Sequence, residues 1–247
     1  MGKIWAAIQP ISRQIWIYIM AIFVILLILF MPMRAAIGMI SGDNNLLRAQ
    51  NINGPIWSGQ ISNVEIAGFS MGQINAGLLP LPLFMGRGEL AFSSDKENNK
   101  AMIEGVIFGG LGGNGIKNLN GEAQLQGKIG KLLGGNVIFN NFNVHFKNDI
   151  CSSAKGEVKL LLNGGILSSL DINEGMTAQA SCDGADLSLS FISFSEQEMV
   201  KLRVNQAGKY NANIIILTDD PAMMAGLGLL GFTPYQAGMI RRETGQF

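Results

Sequence analysis

The chain has 247 residues, of which 48% are hydrophobic and 15% are charged, and its 18 Lys and Arg are balanced by 18 Asp and Glu. This balance excludes a nucleic-acid-binding protein, because neutralising phosphates requires a basic surface. A single histidine argues against a zinc site, and the 32 glycines indicate many tight turns.

The first predicted element is an apolar run at residues 15–33, which contains no charged residue and is bracketed by Arg13 and Arg34. A helix of about 20 apolar residues crosses the hydrocarbon layer of a bilayer, so the run predicts one transmembrane helix. A cleavable signal peptide is the alternative. Its apolar core normally has about 7 to 15 residues and ends at a small-residue cleavage site, whereas this run is longer, contains Pro32 near its end and is followed by Arg34.

A slight excess of basic residues precedes the run. Lys3, Arg13 and the terminal amine lie before it, and Arg34 and Arg48 follow it. The positive-inside rule then favours a cytoplasmic N-terminus. We therefore expect a bacterial inner-membrane protein with a short cytoplasmic segment (1–14), a transmembrane helix (15–33), a linker (34–50) and a periplasmic domain (51–247).

Beyond residue 50, apolar side chains recur at every second position, which is the pattern of strands that bury one face. Around residues 122–129, for example, Ala123 and Leu125 alternate with Glu122 and Gln124. The alternation recurs around residues 142–146, 158–162, 187–191, 200–204 and 210–216, and turn signals occur at 147–149, 163–165 and 206–209. We expect a mainly β domain, either a long antiparallel meander that forms a curved sheet or a two-layer structure.

A weak repeat overlays this alternation, because a Gly-Glu pair precedes an apolar strand at Gly88, Gly121 and Gly156. The spacing fits a meander that grows hairpin by hairpin, although three copies of a common dipeptide also arise by chance. In either case the apolar face of the sheet has to be covered. A second layer of sheet and a bound lipid are both compatible with the pattern.

Two motifs resemble sites of chemistry, and the context of each argues against it. Residues 110–115 match the G-x-G-x-x-G dinucleotide fingerprint, but an alternating strand follows where a helix would hold the pyrophosphate. Residues 68–72 match the G-x-S-x-G elbow around Ser70, again without a helix signal. The one available base, His145, falls on the polar side of a strand and reads as a solvated residue. We expect a glycine-rich hairpin loop at 110–115, no enzymatic activity and no cofactor.

The two cysteines, Cys151 and Cys182, do not belong to a C-x-x-C pair. In an oxidising periplasm their expected fate is a disulfide that closes a loop of about 30 residues. Such a loop contributes roughly 3 to 4 kcal/mol in the chain-entropy model. Two buried free thiols are the alternative.

The C-terminal part contains a helix signal. Asp219, Asp220 and Pro221 suit a helix start, because aspartate caps the first turn and proline is favoured within it. Apolar residues then follow at helical spacing before Gly231, namely Met223, Met224, Leu227 and Leu230. We expect a short amphipathic helix that covers one open end of the sheet. Binding of a partner protein is the alternative role.

Several short motifs follow one another along the chain. The first is Asn-Gly-Pro-Ile-Trp-Ser-Gly at 53–59, and the later ones are the proline-rich segment 79–83, the strands around Cys151 and Cys182, Gly208-Lys209-Tyr210, residues 227–231 and Gly-Gln-Phe at 245–247. In this order they resemble the general secretion pathway protein N family of type II secretion systems. Two departures are the proline at position 55, where members carry a small residue, and the absence of an aromatic residue at 74–79.

The resemblance implies a bitopic inner-membrane protein whose periplasmic domain helps a secretion machine pass folded proteins through the outer membrane. Its partners would be other inner-membrane components of the type II secretion system and the lipid bilayer. No catalytic residue is implied. Gly54, Trp57 and Gly59 match structural positions of a first β-hairpin, and Gly208 and Tyr210 match the opening of a strand. The alternative function is that of an AsmA-like protein, which binds or transfers lipid in a β-groove.

Overall fold

The computed structural model describes residues 13–34, 47–48, 51–66, 69–94, 103–110, 112–125, 134–164 and 175–246. This part of the chain is mainly β, which confirms the predicted class. The helices are α1 (Arg13–Leu29), α2 (Pro80–Leu83) and α3 (Pro221–Leu229). The strands are β1 (Leu47–Arg48), β2 (Asn51–Asn53), β3 (Gly59–Ile66), β4 (Phe69–Leu78), β5 (Arg87–Ser94), β6 (Ile103–Gly110), β7 (Asn114–Leu125), β8 (Gly134–Lys147), β9 (Ile150–Gly164), β10 (Met176–Asp183), β11 (Asp186–Ser193), β12 (Glu198–Val204), β13 (Lys209–Leu217), β14 (Thr233–Tyr235) and β15 (Gly238–Gln246).

The described strands form one antiparallel sheet of 15 strands. From β3 to β13 each strand pairs with the next one in sequence, which is the predicted meander. At one edge β1 and β2 both pair with β3, and at the other edge β15 lies between β13 and β14. The sheet is therefore curved and open. Its first strand, β1, falls within the segment 34–50 that the sequence predicts as a linker.

One face of this sheet is buried from β3 to β13. In β11, for example, Leu187, Leu189 and Phe191 are buried and alternate with more exposed residues. Buried side chains from β3 through β13, together with Met33 and Met239, form one continuous core. Full burial of each large apolar side chain contributes roughly 1.5 to 3 kcal/mol, so this shared face is the main source of stability.

Turn chemistry sets the register of the hairpins. Asn148 and Asp149 both have positive φ, at 52° and 63°, and they connect β8 to β9 at the predicted turn. Positive φ at both central residues is the geometry whose twist matches that of paired strands. Gly208, with a φ of 74°, likewise precedes β13 in the turn predicted at 206–209.

The N-terminal helix has different limits from those predicted. α1 has 17 residues and ends at Leu29, and Pro32 forms a β-bridge with Pro55. Proline disfavours helical geometry in the residue before it, so the chain leaves the helix ahead of Pro32. The predicted helix limit at residue 33 is therefore wrong. Among the described residues, no helix is both long and apolar enough to cross a membrane.

The C-terminal helix begins where the sequence predicts. The Asp220 carboxylate accepts a hydrogen bond from the Ala222 backbone N–H at 2.9 Å, and Pro221 occupies the first turn. Leu227 is the buried residue of α3 and joins the core of the sheet. After the helix, the Arg241 guanidinium of β15 donates a hydrogen bond to the Leu230 carbonyl oxygen. These contacts attach α3 to the last part of the sheet.

A disulfide joins Cys151 in β9 to Cys182 in β10, as the sequence predicts. Their Cα atoms lie 5.5 Å apart across a sequence separation of 31 residues. Beside it, the Cys151 N–H donates to the Ala185 carbonyl oxygen at 2.9 Å. The disulfide therefore connects the beginning of β9 to the end of β10, next to the turn between β10 and β11.

Replacing both cysteines with serine is expected to lower the free energy of unfolding by roughly 3 to 4 kcal/mol, because the unfolded chain regains the entropy of an open loop. Urea denaturation of the full chain in mild detergent measures this loss. Ser181→Ala, an exposed substitution next to Cys182, is the matched control and should change little. A loss below about 1 kcal/mol in the double variant would contradict the prediction.

Candidate functional site

The sequence motif at 53–59 forms the turn between β2 and β3, and the chain that leaves α1 docks onto it. The Met33 N–H donates to the Gly54 carbonyl oxygen at 3.2 Å, and the Ile56 N–H donates to the Met31 carbonyl oxygen at 3.0 Å. The Ile56 carbonyl oxygen accepts from the Leu78 N–H at 2.9 Å. We call residues 31–33, 53–59 and 77–78 the helix–sheet junction.

Glycines allow the backbones of the junction to approach closely. Met33 is only 1% exposed because its side chain lies over Gly59, where a Cβ atom would overlap the Met33 sulfur. At Gly77 a Cβ atom would overlap the Trp57 carbonyl oxygen, and Gly54 adopts a φ of +95°. The junction thus contains Gly54, Trp57 and Gly59 of the predicted motif. It also contains Met33 and Gly77, which no periodic signal in the sequence singles out.

The substitution Gly77→Ala is expected to lower the free energy of unfolding by about 1 to 3 kcal/mol. The added methyl group meets a backbone oxygen, which cannot move aside by rotating a side chain. Gly88→Ala is the matched control in the neighbouring strand β5, where the nearest atom to an added Cβ is 3.7 Å away. Chemical denaturation compares the two variants, and equal losses would contradict the close approach at Gly77.

A cleft of about 460 Å³ opens beside the junction and is lined by Trp57, Gln60 and Asn75, among others. Its lining carries amide and hydroxyl groups but no charged side chain. The buried Trp57 indole N–H has no hydrogen-bond acceptor in the described part of the chain.

The glycine-rich segment 110–115 is the predicted hairpin turn. The Gly113 N–H donates to the Gly110 carbonyl oxygen at 3.0 Å, and strand β7 begins at Asn114. Because a strand follows, the helix N-terminus that would hold a pyrophosphate is missing from this turn. The segment therefore matches the dinucleotide fingerprint in sequence but not in structure.

A shallow cleft of about 420 Å³ lies next to this turn, and Phe108, Lys117 and His145 of its lining contact one another or neighbouring groups. Lys117 forms an ion pair with Glu89 at 2.8 Å and stands 4.6 Å from the centre of the Phe108 ring. His145 is half-buried rather than solvated, because its Nε2 lies 3.0 Å from the Gly112 carbonyl oxygen and its ring lies 5.3 Å from that of Phe108. These contacts hold β5, β6, β7 and β8 together.

Ser70, the central residue of the elbow-like motif, lies within strand β4 and not at a strand-to-helix turn. Ser70 pairs with Gln124 of β7, which pairs with Asn136 of β8. His145 lies nine residues further along β8, roughly 30 Å at the rise of a strand. Ser70 and His145 therefore do not form a catalytic pair. In the described residues no group of three or more His, Cys, Asp or Glu has the arrangement of a metal site.

Gly208 and Tyr210 lie far along the sheet from the junction. Tyr210 is buried in β13 opposite Gly245 of β15, and a Cβ at Gly245 would come within 2.7 Å of the Tyr210 ring. The glycine thus makes room for the aromatic ring, and Gly208 supplies the turn before it. These residues shape the sheet in the last hairpins, as Gly54 and Gly59 do in the first ones.

Comparison with known proteins assigns the chain to a family. The family model described as type II secretion system (T2SS), protein N matches residues 45–242. The match begins just before β1 and ends within β15, so it covers the described sheet almost completely. No curated protein and no solved structure matches the chain. The resemblance indicated by the order of the short motifs is confirmed, and the chain belongs to the type II secretion system protein N family.

Proposed function

We propose that this protein is a membrane-anchored scaffold subunit of the type II secretion system. In this proposal α1 lies in the inner membrane, the sheet stands in the periplasm, and both act through contacts with other components of the system. Family membership supports a role in type II secretion and partners within it. The proposal assigns the protein no enzymatic activity and no cofactor.

The observation that carries the proposal is the surface of α1. Between Ile15 and Phe30, the large apolar side chains that the structure describes are 45–79% exposed. The sheet, in contrast, has a well-packed core. A helix that is apolar on all sides needs an apolar environment. At 1.5 Å per residue the 17 residues of α1 extend about 26 Å, and apolar residues 30–33 continue the run to the junction.

The disulfide supports a periplasmic position for the sheet. Disulfides persist in oxidising compartments and are rare in the reducing cytosol. The Cys151–Cys182 bond joins β9 and β10, which are neighbouring strands of the sheet. Together with the slight excess of positive charge before α1, it favours an orientation with residues 1–12 in the cytoplasm.

The packing of the sheet favours a scaffold over the AsmA-like lipid carrier. Core residues such as Ala123, Val158 and Ile214 are no more than 1% exposed, so the inner face is occupied by its own side chains. The sheet has one edge that is available for contact with another protein. β14 pairs only with residues 238–240 of β15, and the outer side of the following residues, including the exposed Arg242 and Thr244, has no neighbouring strand in the described structure. A free edge accepts a strand from a partner.

Deletion of the gene from its bacterium, combined with photocrosslinking in cells, tests the proposal. We expect deletion to reduce the release of folded exoproteins and a plasmid copy to restore it. A photoreactive amino acid at Arg242 or Thr244 should crosslink to other secretion components. The same residue at Lys201, on the central strand β12, is the control and should crosslink less. Unchanged exoprotein release, with crosslinks only to unrelated proteins, would end the scaffold proposal.

A further inference from the structure

We infer that residues 81–85 insert into the interfacial layer of the bilayer beside α1 and form a second membrane contact. We call these residues, Leu-Pro-Leu-Phe-Met, the apolar finger. The inference rests on the proposed function, because it requires α1 to lie in a bilayer. It adds a contact that fixes how the sheet is oriented relative to the membrane surface.

The finger exposes large apolar side chains that nothing in the described structure covers. Leu81 and Met85 are each 76% exposed and Phe84 is 90% exposed, and α2 has no buried residue. The finger is nevertheless ordered by its own hydrogen bonds, since the Met85 N–H donates to the Pro82 carbonyl oxygen at 2.9 Å. Contiguous exposed apolar residues of this kind mark interaction sites.

The finger lies close to the end of α1. Hydrogen bonds connect Met31 to Ile56 and Ile56 to Leu78, so these three backbone segments lie side by side. Two strand spacings separate the first from the last, which is roughly 10 Å. α2 begins two residues after Leu78, and the Leu79 N–H donates to the Glu89 carbonyl oxygen at 2.8 Å. The chain that emerges from α1 and the finger therefore lie at the same end of the sheet.

The charges around the finger suit the surface of an anionic membrane. Arg34 follows the apolar run of α1, Arg87 follows the finger, and both are exposed. The nearest acidic residue after the finger, Glu89, is paired with Lys117 at 2.8 Å. Apolar side chains flanked by basic ones are typical of segments that lie at the interface, where arginine reaches the lipid headgroups. This charge pattern favours lipid over an apolar protein partner.

A fluorescent label compares the finger with the opposite end of the sheet. The native cysteines are joined to each other, so Phe84→Cys or Phe194→Cys introduces the only free thiol. Phe194 is 86% exposed in the turn between β11 and β12, and the strand directions place this turn at the other end of the sheet. Each full-length variant is labelled with a polarity-sensitive dye and reconstituted in phosphatidylethanolamine–phosphatidylglycerol vesicles. Lipids that carry a nitroxide near the headgroup then report contact by quenching.

We expect at least threefold stronger quenching at position 84 than at position 194. Adding Leu83→Ser and Met85→Ser to the labelled Phe84→Cys protein should reduce the quenching to the level of position 194. Equal quenching at the two positions, in protein that floats with the vesicles, would overturn this inference. It would leave the proposed anchoring by α1 intact. Unchanged quenching in the serine variant would show mere proximity to lipid and would also overturn it. Protein that does not float with the vesicles would contradict the anchoring by α1 as well.

Discussion

Replacing Phe142 with alanine is expected to lower the free energy of unfolding by about 3 to 5 kcal/mol. Phe142 is 4% exposed in β8, and its backbone pairs with Leu119 of β7. Its ring lies 5.6 Å from the Phe139 ring in an edge-on arrangement. The substitution removes buried apolar surface, leaves a cavity between central strands and ends an aromatic contact, and these losses act in the same direction.

The matched control for this substitution is Phe194→Ala. Phe194 is 86% exposed, so the same change of side chain removes almost no buried surface and should cost less than about 1 kcal/mol. Urea denaturation of the full chain in mild detergent, monitored by the far-ultraviolet circular dichroism of the strands, measures the free energy of unfolding of both variants. Similar losses at positions 142 and 194 would contradict the packing of the inner face.

The alternation of apolar residues predicted the central and C-terminal strands well because a strand's side chains alternate for geometric reasons alone. In β13 the predicted inward residues Tyr210, Ala212, Ile214 and Ile216 are all buried. The start of α3 was equally predictable, since a capping aspartate and a following proline act locally. Such signals require no knowledge of which strands become neighbours.

The helix–sheet junction could not be predicted in the same way, because it depends on contacts between distant parts of the chain. Met33 belongs to a run of apolar residues in which the sequence marks no boundary. In the structure it nevertheless lies beyond the end of α1 and is buried against Gly59. Gly77 matters only because the backbone of Trp57 crosses it. The strands β1 and β2 have two and three residues, which is too short for alternation to be visible.

The junction gives a physical meaning to the motif at 53–59. The turn binds the chain on its way out of α1 through backbone hydrogen bonds at Gly54 and Ile56, and it binds β4 through Leu78. These backbone hydrogen bonds couple the end of α1 to the sheet. For a scaffold subunit this coupling would keep the sheet at a defined position relative to the membrane.

If α1 anchors the protein as proposed, placing three aspartates in it, by Ile19→Asp, Phe23→Asp and Leu26→Asp, is expected to release the protein from the membrane. On the scale of membrane insertion each aspartate near the middle of a helix costs about 2.5 to 3.5 kcal/mol, whereas each Leu, Ile, Phe or Val gains about 0.3 to 0.6 kcal/mol. The run at 15–30 holds about a dozen such residues, so three aspartates outweigh what all of them contribute. Immunoblots of membrane and soluble fractions measure the release.

The matched control replaces the same residues by other apolar ones, as Ile19→Leu, Phe23→Leu and Leu26→Ile, and should stay in the membrane fraction. Urea denaturation separates loss of anchoring from loss of folding, because the three positions are exposed and contribute nothing to the core of the sheet. A soluble, folded aspartate variant that no longer supports exoprotein release would tie the secretion role to the anchor. An aspartate variant that remains in the membrane would contradict the role of α1, since its cost of insertion then has to be met by contacts elsewhere in the chain.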